Sequence, residues 1–364
     1  MRAGGTMDSL PQLGALRGQR ESHHSAAADA AAEPYAAPRP DVSVIIPTFN
    51  RRAILLHCIE ALVQQERSEI SFEIVIVDDG STDGTSEAVA AVARTTATRI
   101  VCERQSNAGA NAARNRAMRL AQGRILLFLN DDSIASAGLI AEHLRSHERH
   151  PEVHSAILGA LRISPELAPS VFNALHHDAR FDAMPPETQL DWRSFYTYNV
   201  SIKREFVGEA CFDTRLRWHE DIEFGRRLSE RGLAVFFVPS AAAYHFHALS
   251  ESDFFNMADR EGRALVSWLR AMPQLAPELV DLGLRSARLG TRAVRHVIAD
   301  AVIKSWTWPF WTLAARKLAV LRPAAGQTLY RKLYQWRCRQ AIEHELVCVD
   351  AAPMTLRQRV DNCR

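Results

Sequence analysis

The sequence predicts an α/β protein, a mostly parallel sheet flanked by helices, with an α-helical C-terminal extension. Three observations carry that expectation. Short apolar runs closed by acids or turn residues alternate with stretches of helical periodicity roughly every thirty residues, the pattern of right-handed βαβ units. The carboxyl ends of these runs carry polar or acidic loops, which parallel connections place on the sheet edge where open α/β folds bind ligands. Past Asp253 the alternation stops, and the chain turns helical and basic.

Residues 42–46 (VSVII) form the first expected strand, ended by Pro47 and the turn Thr48-Phe49-Asn50. A helix follows at 51–65, with Ile54, Leu55, Ile59 and Leu62 at helical spacing. The second strand, 72–77 (FEIVIV), runs into an acidic loop at 78–84, and a helix covers 85–92. A short strand at 99–102 and a helix at 107–122 carrying Arg114 come next. The run 125–129 (ILLFL) is too short for a buried helix. Gly123 precedes it and Asn130, Asp131 and Asp132 stop it, so it reads as a buried parallel strand with an acidic loop at its end. Such a loop is a natural place for a hard divalent cation. A further helix is expected at 136–149. Residues 152–191 are broken by Pro165, Pro169, Pro185 and Pro186 and read as irregular. His176 and His177 there have no carboxylate or cysteine at ligand spacing and read as surface polar residues. Strands at 196–203 and 234–238 bracket Trp218-His219-Glu220-Asp221, which leads into a helix at 222–231.

The chain has 364 residues, 47% hydrophobic and 24% charged, which suits a large domain plus an extension. Six cysteines without a CxxC pair read as reduced thiols of a cytosolic protein, against a disulfide framework or a zinc site. Residues 1–40 are rich in Ala and Pro, lack the apolar core of a signal peptide, and are expected to be a disordered leader. A Walker loop is absent, and no GxGxxG follows the first strand, so an NAD-type reading is poor. Residues 281–340 hold twelve basic residues against two acids, a balance of +10, interleaved with Trp306, Trp308, Phe310, Trp311, Tyr330, Tyr334 and Trp336. The apolar run inside this segment is too short to span a bilayer. Two readings stand: an interfacial segment on anionic lipid, or a helical appendage packed on the main domain. No recognised nucleic-acid motif accompanies the charge, so no nucleic-acid partner is expected.

VSVIIPTFNR (42–51), IVIVDDGSTDGT (74–85), NAGANAARN (107–115) and LLFLNDDS (126–133) resemble the successive motifs of the family 2 glycosyltransferases. WHEDIEFGRRL (218–228) resembles that family's acidic acceptor-side motif. The resemblance implies the GT-A fold over residues 41–265, with 266–364 as the basic extension. It implies inverting transfer from a UDP-, dTDP- or GDP-linked sugar donor to the hydroxyl of a sugar or lipid-linked acceptor, in cell-surface polysaccharide or glycolipid synthesis. The expected location is the cytoplasm, peripheral on the inner face of the cell membrane.

The resemblance also implies residue roles. Asp78 would pair with the nucleotide base, with Asp79 beside it, and Pro47, Thr48 and Asn50 would belong to the donor-binding edge. Arg114 would face the diphosphate, whose oxygens suit a guanidinium fork. Asp132 would hold Mg²⁺ or Mn²⁺ together with His245, or with His247 as the alternate. Asn130 stands where the family has its first acid, followed by Asp131. Asn199, with Ser201, would line the sugar or acceptor pocket. Asp221 would be the general base, with Glu220 and Trp218 shaping the pocket. Two rival readings remain. A non-catalytic, membrane-docked sugar-nucleotide-binding protein is kept open by Asn130. A sugar nucleotidyltransferase would need a Gly-rich basic loop after the first strand, which PTFNRR lacks.

Overall fold

The computed structural model describes residues 39–65, 70–177, 179–275, 279 and 302–347. All but the last two residues of the expected leader lie outside the described residues, as do Arg285, Arg288, Arg292 and Arg295 of the basic segment.

β1 (Val42–Thr48), β2 (Phe72–Asp78) and β4 (Ile125–Leu129) are buried along almost their whole length, because helices cover both faces of the sheet. Alternate residues serve opposite layers. Ile45, Val75, Val77, Leu126 and Phe128 pack with Ala113 and Ala117 of α3 (Ala110–Leu120). Val44, Ile46, Ile74, Ile76 and Leu127 pack with Leu55, Ile59 and Leu62 of α1 (Arg52–Val63). With α2 (Thr85–Ala93) and β3 (Arg99–Arg104) this gives the parallel order β3-β2-β1-β4. β2 lies on one side of β1 and β4 on the other. The loops after β1 and β4 therefore diverge at a topological switch point, where such sheets bind ligands.

Beyond β4 the sheet is mixed. β8 (Asn199–Lys203) runs antiparallel between β4 and β6 (Ser155–Ile163). β6 pairs parallel with β9 (Ala234–His245), and β5 (Ser133–Ala135) and β7 (Thr188–Leu190) pair antiparallel with β9. The expected irregular stretch thus contains a nine-residue strand, β6, and a short helix, α5 (Val171–His176). β1 also continues through Pro47, which stays in register with Val77. β9 continues through Pro239 for a different reason. Its register jumps from Gly159↔Val238 to Ala160↔Ala242, so residues 239–241 bulge out of the ladder and the proline removes no rung from it. Gly159 is needed at the jump, where a Cβ would lie 2.1 Å from the Ala241 carbonyl oxygen.

α4 (Leu139–Arg149), α6 (Arg204–Val207) and α7 (Glu220–Ser229) complete the main domain. α8 (Glu251–Ala271) opens on a capping box of Ser250 and Asp253 and runs unbroken through residue 265, where a domain boundary was expected. α9 (Trp308–Leu321) and α10 (Pro323–Val347) follow. Tyr330 Oη donates to Glu251 (2.7 Å), Tyr334 Oη donates to Glu261 (2.6 Å), and Arg337 pairs with Asp259 (2.8 Å), which fastens α10 to α8. Tyr330, Trp336 and Trp308 form a core with Phe254 and Phe255, whereas Trp306 and Phe310 stay exposed. Among the described residues no helix is long and apolar enough to cross a membrane.

Candidate active site

The loops after β1 and β4 meet through side chains. Thr48 Oγ1 donates to Asp131 Oδ2 at 2.8 Å. Arg51, at the N-cap of α1, places Nη1 3.1 Å from Asp131 Oδ1 and Nη2 2.8 Å from Asp132 Oδ2. A cation at a helix N-terminus opposes the macrodipole, and the two acids offset that cost. Burial pushes the Asp131 carboxyl up to about 6 against the pull of Arg51. Burial acts the same way on Asp132, but His245, His247 and Arg51 outweigh it and hold that carboxyl well below the usual carboxylate range.

His245 Nε2 and His247 Nδ1 lie 3.5 and 3.7 Å from Asp132 Oδ2, and one ligand atom from each of the three residues falls within 4.8 Å of the others. Asp132 Oδ1 is buried and has no hydrogen-bond partner among the described residues. A buried carboxylate oxygen without a donor, beside two imidazoles, is a donor set that fits a divalent cation.

The second half of the site is a cleft of about 450 Å³ lined by Arg114, Asn130, Tyr196, Trp218, Glu220, Asp221 and His245, among others. Arg114 is buried; its Nη1 donates to Glu220 Oε1 at 2.9 Å and its Nη2 to Asn130 Oδ1 at 3.4 Å. Asp221 sits at the start of α7, half-buried in the cleft lining, and accepts from the N–H groups of Ile222 (2.8 Å) and Thr197 (3.4 Å). Burial and the adjacent Glu220 carboxylate push Asp221 up to about 7, against the lowering by Arg114. Tyr196 and Tyr198 stack at 5.2 Å in the cleft wall. α5 contributes His176, whose ring lies 5.7 Å from that of His245. α5 is anchored by Asn173, which donates to the His247 carbonyl oxygen (2.7 Å) and accepts from the Leu249 N–H (3.0 Å).

Other expected site residues are engaged in holding loops and strands. Asp78 is fully buried and closes its own loop, accepting from the Ser81 N–H (2.8 Å) and from Ser86 Oγ. Asp79 accepts from Gln105 Nε2 (2.7 Å) and from the N–H groups of Ala108 (2.8 Å) and Gly109 (2.7 Å), which positions the start of α3. Pro47 lies within β1, and Asn50 accepts from the Thr82 N–H (2.8 Å), tying the two polar loops together. Asn199 is fully buried, with Nδ2 donating to the carbonyls of Ala160 (3.0 Å) and Ala241 (2.8 Å) and Oδ1 on His143 (2.9 Å); it staples β8 to its neighbours instead of lining the pocket. Arg51 carried no expected role. The signal for it was an arginine at a helix start, a position that calls for a nearby acid.

Residues 43–252 match the family model described as Glycosyl transferase family 2. The validoxylamine A glucosyltransferase of Streptomyces hygroscopicus subsp. limoneus is 28% identical over 229 residues, covering 54% of this chain and 49% of its own length. The chain thus spans about half the length of that curated relative. A mannosyltransferase from Pyrobaculum calidifontis, solved with GDP-Man and Mn²⁺, superposes with a TM-score of 0.58 at 21% identity, over 87% of this chain and 92% of its own. Residues 1–349 of S. aureus TarS, solved with UDP-GlcNAc, superpose with a TM-score of 0.52 at 16% identity, over 83% and 90%. By the match over more than half its length and by its sheet, the chain belongs to glycosyltransferase family 2 and has the GT-A fold.

Proposed function

We propose that the protein is a metal-dependent, inverting glycosyltransferase that moves a sugar from a nucleotide-sugar donor to an acceptor hydroxyl. The observation that carries this is one cleft lined both by Asp221 and by His245, which belongs to an Asp132–His245–His247 cluster. Asp221 accepts the acceptor's hydroxyl proton while the acceptor oxygen bonds to the anomeric carbon and the nucleoside diphosphate leaves from the opposite face. Arg114, oriented by Glu220 and Asn130, presents its charge to the diphosphate. Asp132, His245 and His247 would hold the cation, and the mixed oxygen and nitrogen set suits Mn²⁺ better than Mg²⁺. A bound cation offsets charge on the departing diphosphate. Asp78, at the end of β2 with Asp79 beside it, is read as the partner of the nucleotide base, and both acids also hold their own loops.

UDP-, dTDP- and GDP-linked sugars are the donors to try, and the solved relatives bound to GDP-Man and UDP-GlcNAc support that choice. The acceptor is read as a sugar or lipid-linked hydroxyl of a surface polysaccharide or glycolipid, reached from the cytoplasmic side by peripheral contact with the membrane. Incubation with a panel of nucleotide sugars in Mn²⁺, Mg²⁺ or EDTA, with released nucleoside diphosphate read by mass spectrometry, tests the reading. Release in Mn²⁺ that stops in EDTA is expected. Undiminished release in EDTA removes the metal from it, and no release from any donor removes the transferase.

A further inference from the structure

Among the described residues, five of the six most exposed large apolar side chains gather on α9 and the turn before it. Trp306 is 83% exposed, Phe310 62%, Leu313 49%, Val320 81% and Leu321 76%. Phe310, Leu313, Lys317, Val320 and Leu321 recur at helical spacing and share one face of α9. The opposite face is already used. Thr312 and Ala315 are buried, and a Cβ on Gly326 of α10 would lie 2.4 Å from the Ala319 backbone, so the two helices are in close contact there.

The charge around this stripe has one sign. Residues 302–322 carry Lys304, Arg316, Lys317 and Arg322 and no acid. Arg316 is committed to Glu251, whereas Lys304, Lys317 and Arg322 are exposed along the stripe. An exposed apolar surface of this extent marks an interaction site. A second copy would bring like charges face to face, which disfavours self-association. Tryptophan with flanking Lys and Arg is instead the composition that settles at a lipid headgroup layer.

We propose that the α9 stripe is the surface on which the enzyme rests on an anionic bilayer. Trp306, Phe310, Leu313, Val320 and Leu321 enter the acyl boundary, and Lys304, Lys317 and Arg322 meet the lipid phosphates. This rests on the reading of peripheral membrane contact given above and names the face that makes it. The docking helices are also joined to the cleft: Tyr330 of α10 packs edge-on against Phe172 of α5 at 5.0 Å, and α5 carries His176 into the cleft wall.

Flotation of the full-length protein with vesicles of phosphatidylcholine, alone or mixed with phosphatidylglycerol, at low and high salt tests this. The protein should float with the anionic vesicles at low salt, leave them at high salt, and ignore the neutral ones. Each basic residue at an anionic leaflet contributes about fivefold to partitioning, so the triple variant Lys304→Glu, Lys317→Glu, Arg322→Glu should weaken binding about a hundredfold or more. The double variant Trp306→Ser, Phe310→Ser should weaken it as well. Both sets lie outside the cleft, so donor hydrolysis and thermal midpoint should hold, which separates lost docking from lost fold or lost catalysis. Wild-type protein that stays in the soluble fraction, or variants that float as well as wild type, overturn the proposal. So does a concentration-dependent dimer that Trp306→Ser abolishes, which would assign the stripe to a second copy.

Discussion

Arg51 Nη2 donates to Asp132 Oδ2 at 2.8 Å, so the carboxylate of the candidate metal cluster is already paired with a fixed positive charge of the chain. The same guanidinium lies 3.2 Å from His247 Nδ1. Two cations at one oxygen repel, and in a partly buried site that repulsion amounts to a few kcal/mol. Arg51→Met should therefore tighten Mn²⁺ binding to the donor-free protein, by about tenfold, measured by calorimetry. The same variant leaves two buried acids without their partner, so its thermal midpoint in EDTA should fall by several degrees and recover on adding Mn²⁺. Unchanged or weakened Mn²⁺ affinity in a folded variant would show that Arg51 does not compete with the metal.

Asp132→Ala should lower metal-dependent donor hydrolysis on the order of 10²-fold or more, the scale of losing one aimed electrostatic group. Asn130→Ala should cost far less, because Asn130 contributes a neutral amide at 3.4 Å from Arg114. Steady-state rates in Mn²⁺ and in EDTA check both. Full turnover of Asp132→Ala in EDTA would place the metal elsewhere or nowhere.

Asp221→Asn keeps the shape of the side chain but cannot take a proton. Transfer should fall about 10²–10⁴-fold while donor affinity, read by calorimetry, survives. Loss of donor affinity along with the rate would make Asp221 structural.

As the proposed base, Asp221 would act only when ionised. With its carboxyl pushed up to about 7 by burial and by Glu220, protonation removes the active form as the pH falls. kcat/KM should drop about tenfold per pH unit on the acid side of 7 and level off above it. Glu220→Gln removes the neighbouring charge and leaves Arg114 to Asp221, so the acid limb should move to lower pH. A profile that stays put would detach it from Asp221.

The strands β1, β2 and β4 and their loops are legible because strands buried on both faces read as unbroken apolar runs stopped by breakers. What local sequence does not encode is where an acid at a strand end points. Asp79 turns inward because the N–H groups of Ala108 and Gly109 arrive from residues 29 and 30 positions downstream. The resemblance implies that Asn199 and Ser201 line a pocket. α4 covers that face of β8 instead, with His143 between Ser201 (2.8 Å) and Asn199 (2.9 Å) and His147 on Ser201 (2.9 Å). β6 is hidden by its Gly159 and alanines, whose small size is demanded by the neighbouring strand and not by any local preference.

That buried pair of histidines predicts acid sensitivity. Burial drops His143 from 6.5 to about 4, and His147 is lowered by burial and by Lys203. On unfolding both regain ordinary affinity for protons, so below pH 6.5 the unfolded chain binds more of them. Stability present above 6.5 should be lost progressively as the pH falls toward 4, by about 3 kcal/mol for His143 alone. His143→Leu should lower the thermal midpoint at pH 7, because Asn199 and Ser201 lose a partner, yet flatten the slope between 6.5 and 4. Calorimetric midpoints across that range check it, and an unchanged slope would remove His143 as its source.

Asn173 ties the cleft wall to the candidate metal cluster. Its one amide fixes the chain on both sides of Ala248 through His247 and Leu249, while the helix it belongs to carries His176 and leans on Tyr330. A substitution in α5 that reshapes the cleft wall therefore also tugs on the backbone of a residue in the candidate metal cluster. Under the proposed function, acceptor preference would be coupled to donor handling. Variants selected for a new acceptor through α5 should arrive with altered metal and donor constants, and compensating changes should be sought in β9 and α10 as well as in the wall itself.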